Sequence, residues 1–287
     1  MTAHHPQGPS TRAPLQADTM HNHPLGQERK HREDPARGCV LVLAPHTDDD
    51  TFGCGGTIAK HIAEGATVHI AAFSVCMQSV LKHLPPDTLI TEFHAACEVL
   101  GVPQRQRHMR DFHVRTFDRH RQEILTWMLE LQRDLQPHRV YMPSLRDTHQ
   151  DHHVIATEAL RAFKGTTLLA YELPWNTPDF HAQHFQVLTT DQVNRKSEAV
   201  ACYKSQAHRP YANHAFVVAT ATLRGVQCGA PHAEAFEVIR IVEGCSSALA
   251  GSGASNLRPE DARPLASTDL LDPGEILVRK YPINLEG

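Results

Sequence analysis

The apolar run Val40-Leu41-Val42-Leu43-Ala44-Pro45 stops at His46 and Thr47 and gives way to three consecutive carboxylates, Asp48, Asp49 and Asp50. Adjacent like charges repel, and acids at the end of a buried strand destabilise a fold unless a cation or a proton is shared among them. A divalent metal ion explains the arrangement most simply. A second polar cluster, Asp147-Thr148-His149-Gln150-Asp151-His152-His153, stands well downstream. A hydrolytic zinc site draws three ligands from His, Asp and Glu and leaves one position for water. The two clusters hold enough such donors. A bound ion lowers the pKa of its water from 15.7 to about 7, provided that a neighbouring carboxylate takes the proton.

Both clusters follow apolar strands. Cys39 to Ala44 is a continuous apolar strand, Thr57 to Glu64 a helix closed by Gly65, and Thr67 to Phe73 a second strand, which together make a βαβ unit. Arg139 to Met142 is the short strand ahead of the second cluster, and His152 to Phe163 the helix after it. Thr88 to Leu100, Arg119 to Leu135 and Asp191 to Tyr203 read as helices, His108 to Phe112 and Thr166 to Leu173 as strands, and Ala233 to Val242 as either. Continuous apolar strands suit a parallel sheet covered on both faces. The expected fold class is therefore α/β, a single domain with a mostly parallel, Rossmann-like sheet flanked by helices. In such a sheet the strand C-termini line the ligand crevice, so the two clusters are expected to meet there. Residues 1–37 read as a polar, disordered extension, 38–245 as the domain, and 246–287 as a loop or tail rich in Gly, Ser, Ala, Asp and Pro.

Composition excludes several classes. A net charge of −4 leaves no basic footprint for nucleic acid. No stretch of about 18 apolar residues is present, so no membrane span is expected. The seven cysteines are odd in number and lack a C-x-x-C pair, which argues for reduced thiols and a cytoplasmic location. The histidines His4, His5, His21 and His23 near the start read as part of the polar leader, able to trap metal adventitiously.

Pro45-His46-Thr47-Asp48-Asp49-Asp50 followed by Gly53-Cys54-Gly55-Gly56-Thr57 resembles the AHPDDE…GCGGT signature of the LmbE-like, or PIG-L, de-N-acetylases, and His149-Gln150-Asp151-His152 is similar to their HxDH motif. Weaker echoes are Glu92 to Gly101, Lys196 to Gln206, and Ala233-Glu234-Ala235-Phe236. The resemblance implies that His46, Asp49 and His152 hold a metal and that Asp48 is the general base. It further implies that a protonated His149 stabilises the oxyanion and delivers a proton to the departing amine, with Asp151 holding the His149 tautomer and raising its pKa. The implied metal is Zn²⁺, with Fe²⁺ or Co²⁺ as substitutes. The implied reaction is hydrolysis of an N-acetyl group from an amino sugar or sugar-containing metabolite. Thr47 stands where the family usually has Pro, Asp50 where it has Glu, and Leu89 where many relatives carry an Arg that contacts the sugar or its phosphate.

Other readings compete at particular residues. Gly53-Cys54-Gly55-Gly56 could signal dinucleotide binding, but Ile58 breaks the G-x-G-x-x-G frame, and Cys54 reads as a small residue in a tight turn. Trp175, at the end of a strand, is a candidate sugar-stacking surface. The same metal site acting on a non-sugar amide or ester, or a sugar-binding protein without catalysis, are the rival functions. The expected partner is a small N-acetylated sugar, and a homo-oligomer is compatible with the sequence.

Overall fold

A computed structural model describes residues 38–243. The expected N-terminal extension, its histidines and the C-terminal tail lie outside the described residues. The chain runs β1 (Cys39–His46), α1 (Asp49–Ala63), β2 (Thr67–Ser74), α2 (Thr88–Leu100), β3 (Arg107–Met109), α3 (Arg121–Leu135), β4 (Arg139–Pro143), α4 (Gln150–Ala162), β5 (Thr167–Tyr171), β6 (His184–Val187), α5 (Thr190–Ala201), α6 (His214–Cys228) and β7 (Ala233–Arg240). Seven strands form one sheet in the order β3-β2-β1-β4-β5-β7-β6. The β1 to β5 ladders are parallel, whereas β7 runs antiparallel to both neighbours. The α/β expectation therefore holds, with a mixed edge. No described helix is long and apolar enough to cross a membrane.

Strand alternation sends side chains to two cores. Val40, Val42, Ala44, Ile70, Tyr141, Leu169 and Phe236 pack with α1, α2, α5 and α6, while Leu41, Leu43, Phe73, Val140, Met142 and Leu168 pack with α3 and α4. The chain winds outward from β1 to β2 and β3 on one side, and from β4 to β5 on the other. The gap above the paired β1 and β4 is the topological switch point, where open α/β sheets bind ligands. His46 ends β1 there, and the loop after β4 brings in His149.

One helix boundary differs from expectation in a way that matters. α1 starts at Asp49, not Thr57, and breaks at Cys54 (φ −145°, ψ 28°). The glycines that signalled a turn serve close packing. An added Cβ would lie 2.4 Å from the Tyr171 ring at Gly53 and 3.1 Å from the Lys196 side chain at Gly55. Past the break, the freed N–H groups of Gly56 and Thr57 donate to the Glu234 carboxylate at 3.1 and 2.7 Å, and the Lys196 ammonium binds the same carboxylate at 2.6 Å. A buried ion pair needs such added hydrogen bonds to offset its desolvation. Glu92 likewise accepts from the backbone and hydroxyl of Ser205 at 2.8 and 2.6 Å. The weaker motif echoes thus mark ties between α1, α2, α5 and β7.

β6 and α6 carried no readable period. β6 is short, and α6 buries only Val217, Ala221 and Gly225. The segment left open between helix and strand is strand over Ala233–Arg240, because it pairs with β5 and β6.

Among the buried histidines, His61 on α1 is only 6 % exposed and contacts the Tyr141 hydroxyl through Nε2 at 2.9 Å. Burial, with Arg139, His138, Lys60 and His184 nearby, pushes its pKa down to about 3. The unfolded chain protonates this imidazole below about pH 6.5 while the folded chain resists. The stability it contributes is therefore complete above that pH and lost as the pH falls towards 3, at up to about 1.4 kcal/mol per pH unit. Urea midpoints at pH 7, 5.5 and 4.5 should fall in that order, and His61→Gln should flatten the trend.

Candidate metal centre

Asp48 occupies the N-cap of α1, yet its carboxylate caps no helix N–H and has no hydrogen-bond partner among the described residues. Asp ordinarily caps well, so this side chain is left free at the crevice. Burial and the charge of Asp49 push its pKa up to about 6. Asp49, next in sequence, turns inward and accepts the His46 backbone N–H at 2.8 Å.

Three donor atoms then converge. His46 Nδ1 lies 3.1 Å from Asp49 Oδ2 and 3.1 Å from His152 Nε2, and His152 Nε2 lies 3.2 Å from Asp49 Oδ2. The outward nitrogens of both rings face carboxylates. His46 Nε2 is 3.1 Å from Asp151 Oδ2, and His152 Nδ1 is 2.8 Å from Asp147 Oδ2. Protons on those outward nitrogens leave the inward ones as lone pairs. Two lone pairs and a carboxylate oxygen in mutual contact repel unless a cation or protons lie among them. In the metal-free chain, protons are drawn in. Burial opposes the charge on His152, but Asp49 and Asp147 outweigh it and raise its pKa to about 10. His46 rises too, burial being overcome by its bonds to Asp151 and Asp49. Ligands at zinc bond lengths around a tetrahedral ion stand about 3.3 Å apart, so this N₂O set fits such an ion with little movement.

His149 adds a third imidazole. Ligand nitrogens of His46, His149 and His152 all lie within 4.8 Å of one another. His149 is the N-cap of α4, and its Nδ1 accepts the Asp151 backbone N–H at 3.2 Å. That bond requires an unprotonated Nδ1, so the neutral ring carries its proton on Nε2. Burial, with His152 and His46 beside it, holds its pKa down to about 4. The expectation of a protonated His149 is therefore corrected. Asp151 bonds His149 at the ring nitrogen through its backbone N–H, and its side chain is used elsewhere. Its carboxylate orients His46, not His149, and is itself fixed by the backbone N–H groups of Arg115 (2.6 Å) and Phe117 (3.4 Å). Arg115 adopts a left-handed backbone (φ 68°) where it makes that bond.

From sequence, Asp147 reads only as a loop-positioning residue. Its second oxygen accepts the His149 N–H at 2.8 Å, so one carboxylate orients His152 and anchors the start of α4. The spacing Asp147…His152 was the available signal, and a weak one, since five residues across a helix start give no fixed geometry. Asp50 points into the core, fully buried, with Oδ2 bonded to Thr51 and Oδ1 unpartnered. Burial pushes its pKa up to about 8. Cys54 is also fully buried, and burial raises its thiol well above the usual range, which suits packing and not nucleophilic attack. Tyr211 stacks on one face of Trp175, with ring centroids 3.6 Å apart at 8°.

Fold and site together define an open α/β protein with a His-His-Asp cluster at its switch point. Residues 41–163 match the family model described as PIG-L: GlcNAc-PI de-N-acetylase. Over that segment the chain is similar to the PIG-L, or LmbE-like, family. Solved structures of similar fold include the N,N'-diacetylchitobiose deacetylase of Pyrococcus horikoshii, at 18% identity and TM-score 0.60 over 70% of this chain and 83% of that one. A conserved protein of Thermus thermophilus is 25% identical, TM-score 0.59, over 72% and 96% of the two chains. The 4-carboxy-2-hydroxymuconate hydratase GalB of Pseudomonas putida is 20% identical, TM-score 0.58, over 73% and 100%. The fold thus houses both a deacetylase and a hydratase, so the reaction must be argued from the site.

Proposed function

We propose that the protein is a metal-dependent hydrolase that removes an N-acetyl group from an amino sugar or a sugar-containing metabolite. The observation that carries this reading is the three-atom cluster of His46 Nδ1, Asp49 Oδ2 and His152 Nε2, with the uncapped Asp48 beside it. His46, Asp49 and His152 would hold the ion, Zn²⁺ by preference, with Fe²⁺ or Co²⁺ also compatible with nitrogen and oxygen donors. When bound, such an ion acidifies water and polarises a carbonyl oxygen.

The residues supply the rest. Asp48, titrating near pH 6, takes a proton from the attacking water at neutral pH. His149 donates its Nε2–H to the oxygen that becomes negative in the tetrahedral intermediate. A neutral imidazole is a poor acid, so the proton for the departing amine comes back from Asp48, which is base first and acid second. Asp147 and Asp151 keep the two ligand imidazoles in the tautomer that points lone pairs inward. Collapse of the intermediate releases acetate and a free amine.

Acetate release from a panel of N-acetylated sugars, non-sugar amides and esters tests this reading. Chelation should abolish it, and added Zn²⁺, Fe²⁺ or Co²⁺ should restore it. Turnover that survives complete metal removal would sink the proposal, whereas turnover confined to non-sugar substrates would move it to the broader amide or ester hydrolase.

A further inference from the structure

An aromatic cluster joins the two loops that carry the metal centre. Asn176, beside Trp175, accepts through its backbone carbonyl from both the N–H and the hydroxyl of Thr148, each at 3.0 Å, and Thr148 precedes His149. From the other side Phe52, three residues past Asp49 on α1, meets Trp175 and Tyr211 edge-on, with centroids 5.7 Å away in each case. Pro174, Trp175, Pro210, Tyr211 and Phe216 line a recess of about 290 Å³ on this cluster. None of these lining side chains is charged, so an anion entering it would lose water without gaining a partner. Stacked and edge-on aromatic walls suit a flat ring.

We propose that this recess is the subsite for a planar, uncharged substituent attached to the N-acetylated ring, so that the preferred substrates are neutral aryl-type glycosides of an N-acetyl amino sugar and not sugar phosphates. The inference rests on the deacetylase reading for the position of the acetyl group, and it is tested by binding so that it can fail separately. Titration calorimetry on the zinc-loaded full chain would compare 4-nitrophenyl N-acetyl-β-D-glucosaminide, free N-acetylglucosamine and N-acetylglucosamine 1-phosphate. The aryl glycoside should bind about 10-fold or more tightly than the free sugar, a difference of about 1.4 kcal/mol, with the phosphate weakest. Tyr211→Leu and Phe216→Ala should each cut the aryl advantage to about 3-fold or less. The two variants guard against one of them failing to fold, and unchanged urea midpoints qualify each. Aryl and free sugars binding equally, the phosphate binding best, or an aryl preference untouched in both folded variants would overturn the proposal. Tight aryl binding without acetate release would support the recess while counting against the deacetylase.

Discussion

Asp48→Asn should lower kcat about 10²–10⁴-fold, the usual worth of a positioned general acid or base, while bound metal should stay at the wild-type stoichiometry. Asn nearly matches Asp in shape, and Asp48 is neither in the donor triangle nor capping α1, so the substitution removes only the proton acceptor. The pH profile gives the sharper measurement. A base with a pKa raised to about 6 by burial and by Asp49 must be ionised to act, so kcat falls as the pH drops through that region. A bound cation would draw the limb to lower pH by favouring the carboxylate. In the Asn variant this limb should vanish from the residual activity. A variant that retains wild-type turnover, or that keeps the same acid limb, would remove Asp48 from the base role.

His152→Ala should lose both metal and turnover, and Asp147→Asn should lose part of each. His152 supplies one of three converging donor atoms and is 2 % exposed. Without its ring one of the three converging donor atoms is lost, and the Asp147 carboxylate is left buried without its imidazole partner. Breaking a buried pair costs about 3–5 kcal/mol, so metal content has to be measured on protein shown to be folded. Asp147→Asn keeps the ligand but weakens its orientation, and a loss of about 10–100-fold in metal affinity is expected, as for other partners of metal-binding histidines. His152→Ala should exceed that range. The metal-free form adds a check: with the His152 pKa near 10, loading the ion at pH 7.5 expels protons. Calorimetry in buffers of different ionisation heat would count them. Equal affinity in wild type and His152→Ala would place the ion elsewhere.

Local sequence was sufficient for the sheet that carries the site. β1, β2, β4 and β5 are continuous apolar runs, and a run of that kind has few solutions other than a strand covered on both faces. α2 was legible to the residue, from Thr88 to the Gly101 that ends it in a left-handed conformation (φ 88°). His46, Asp49 and His152, whose donor atoms the fold brings together, also stand at fixed positions within the motifs.

What only tertiary structure decided is the direction of each carboxylate and the protonation that follows from it. Asp147, Asp48, Asp49, Asp50 and Asp151 are one residue type, yet they become in turn a partner of His152, an uncapped carboxylate at the crevice, a ligand candidate, a buried acid and a partner of His46. Nothing in their spacing distinguishes these fates, since the partners come from β1, α4 and the loop at Arg115, far apart along the chain. The same holds for α1, where glycines that locally favour a turn are helical because Tyr171, Lys196 and Glu234 arrive from β5, α5 and β7. Composition and period report what a segment can bury by itself. Where a polar atom points depends on which distant donor or cation offsets its desolvation, and that is settled only when the chain has closed.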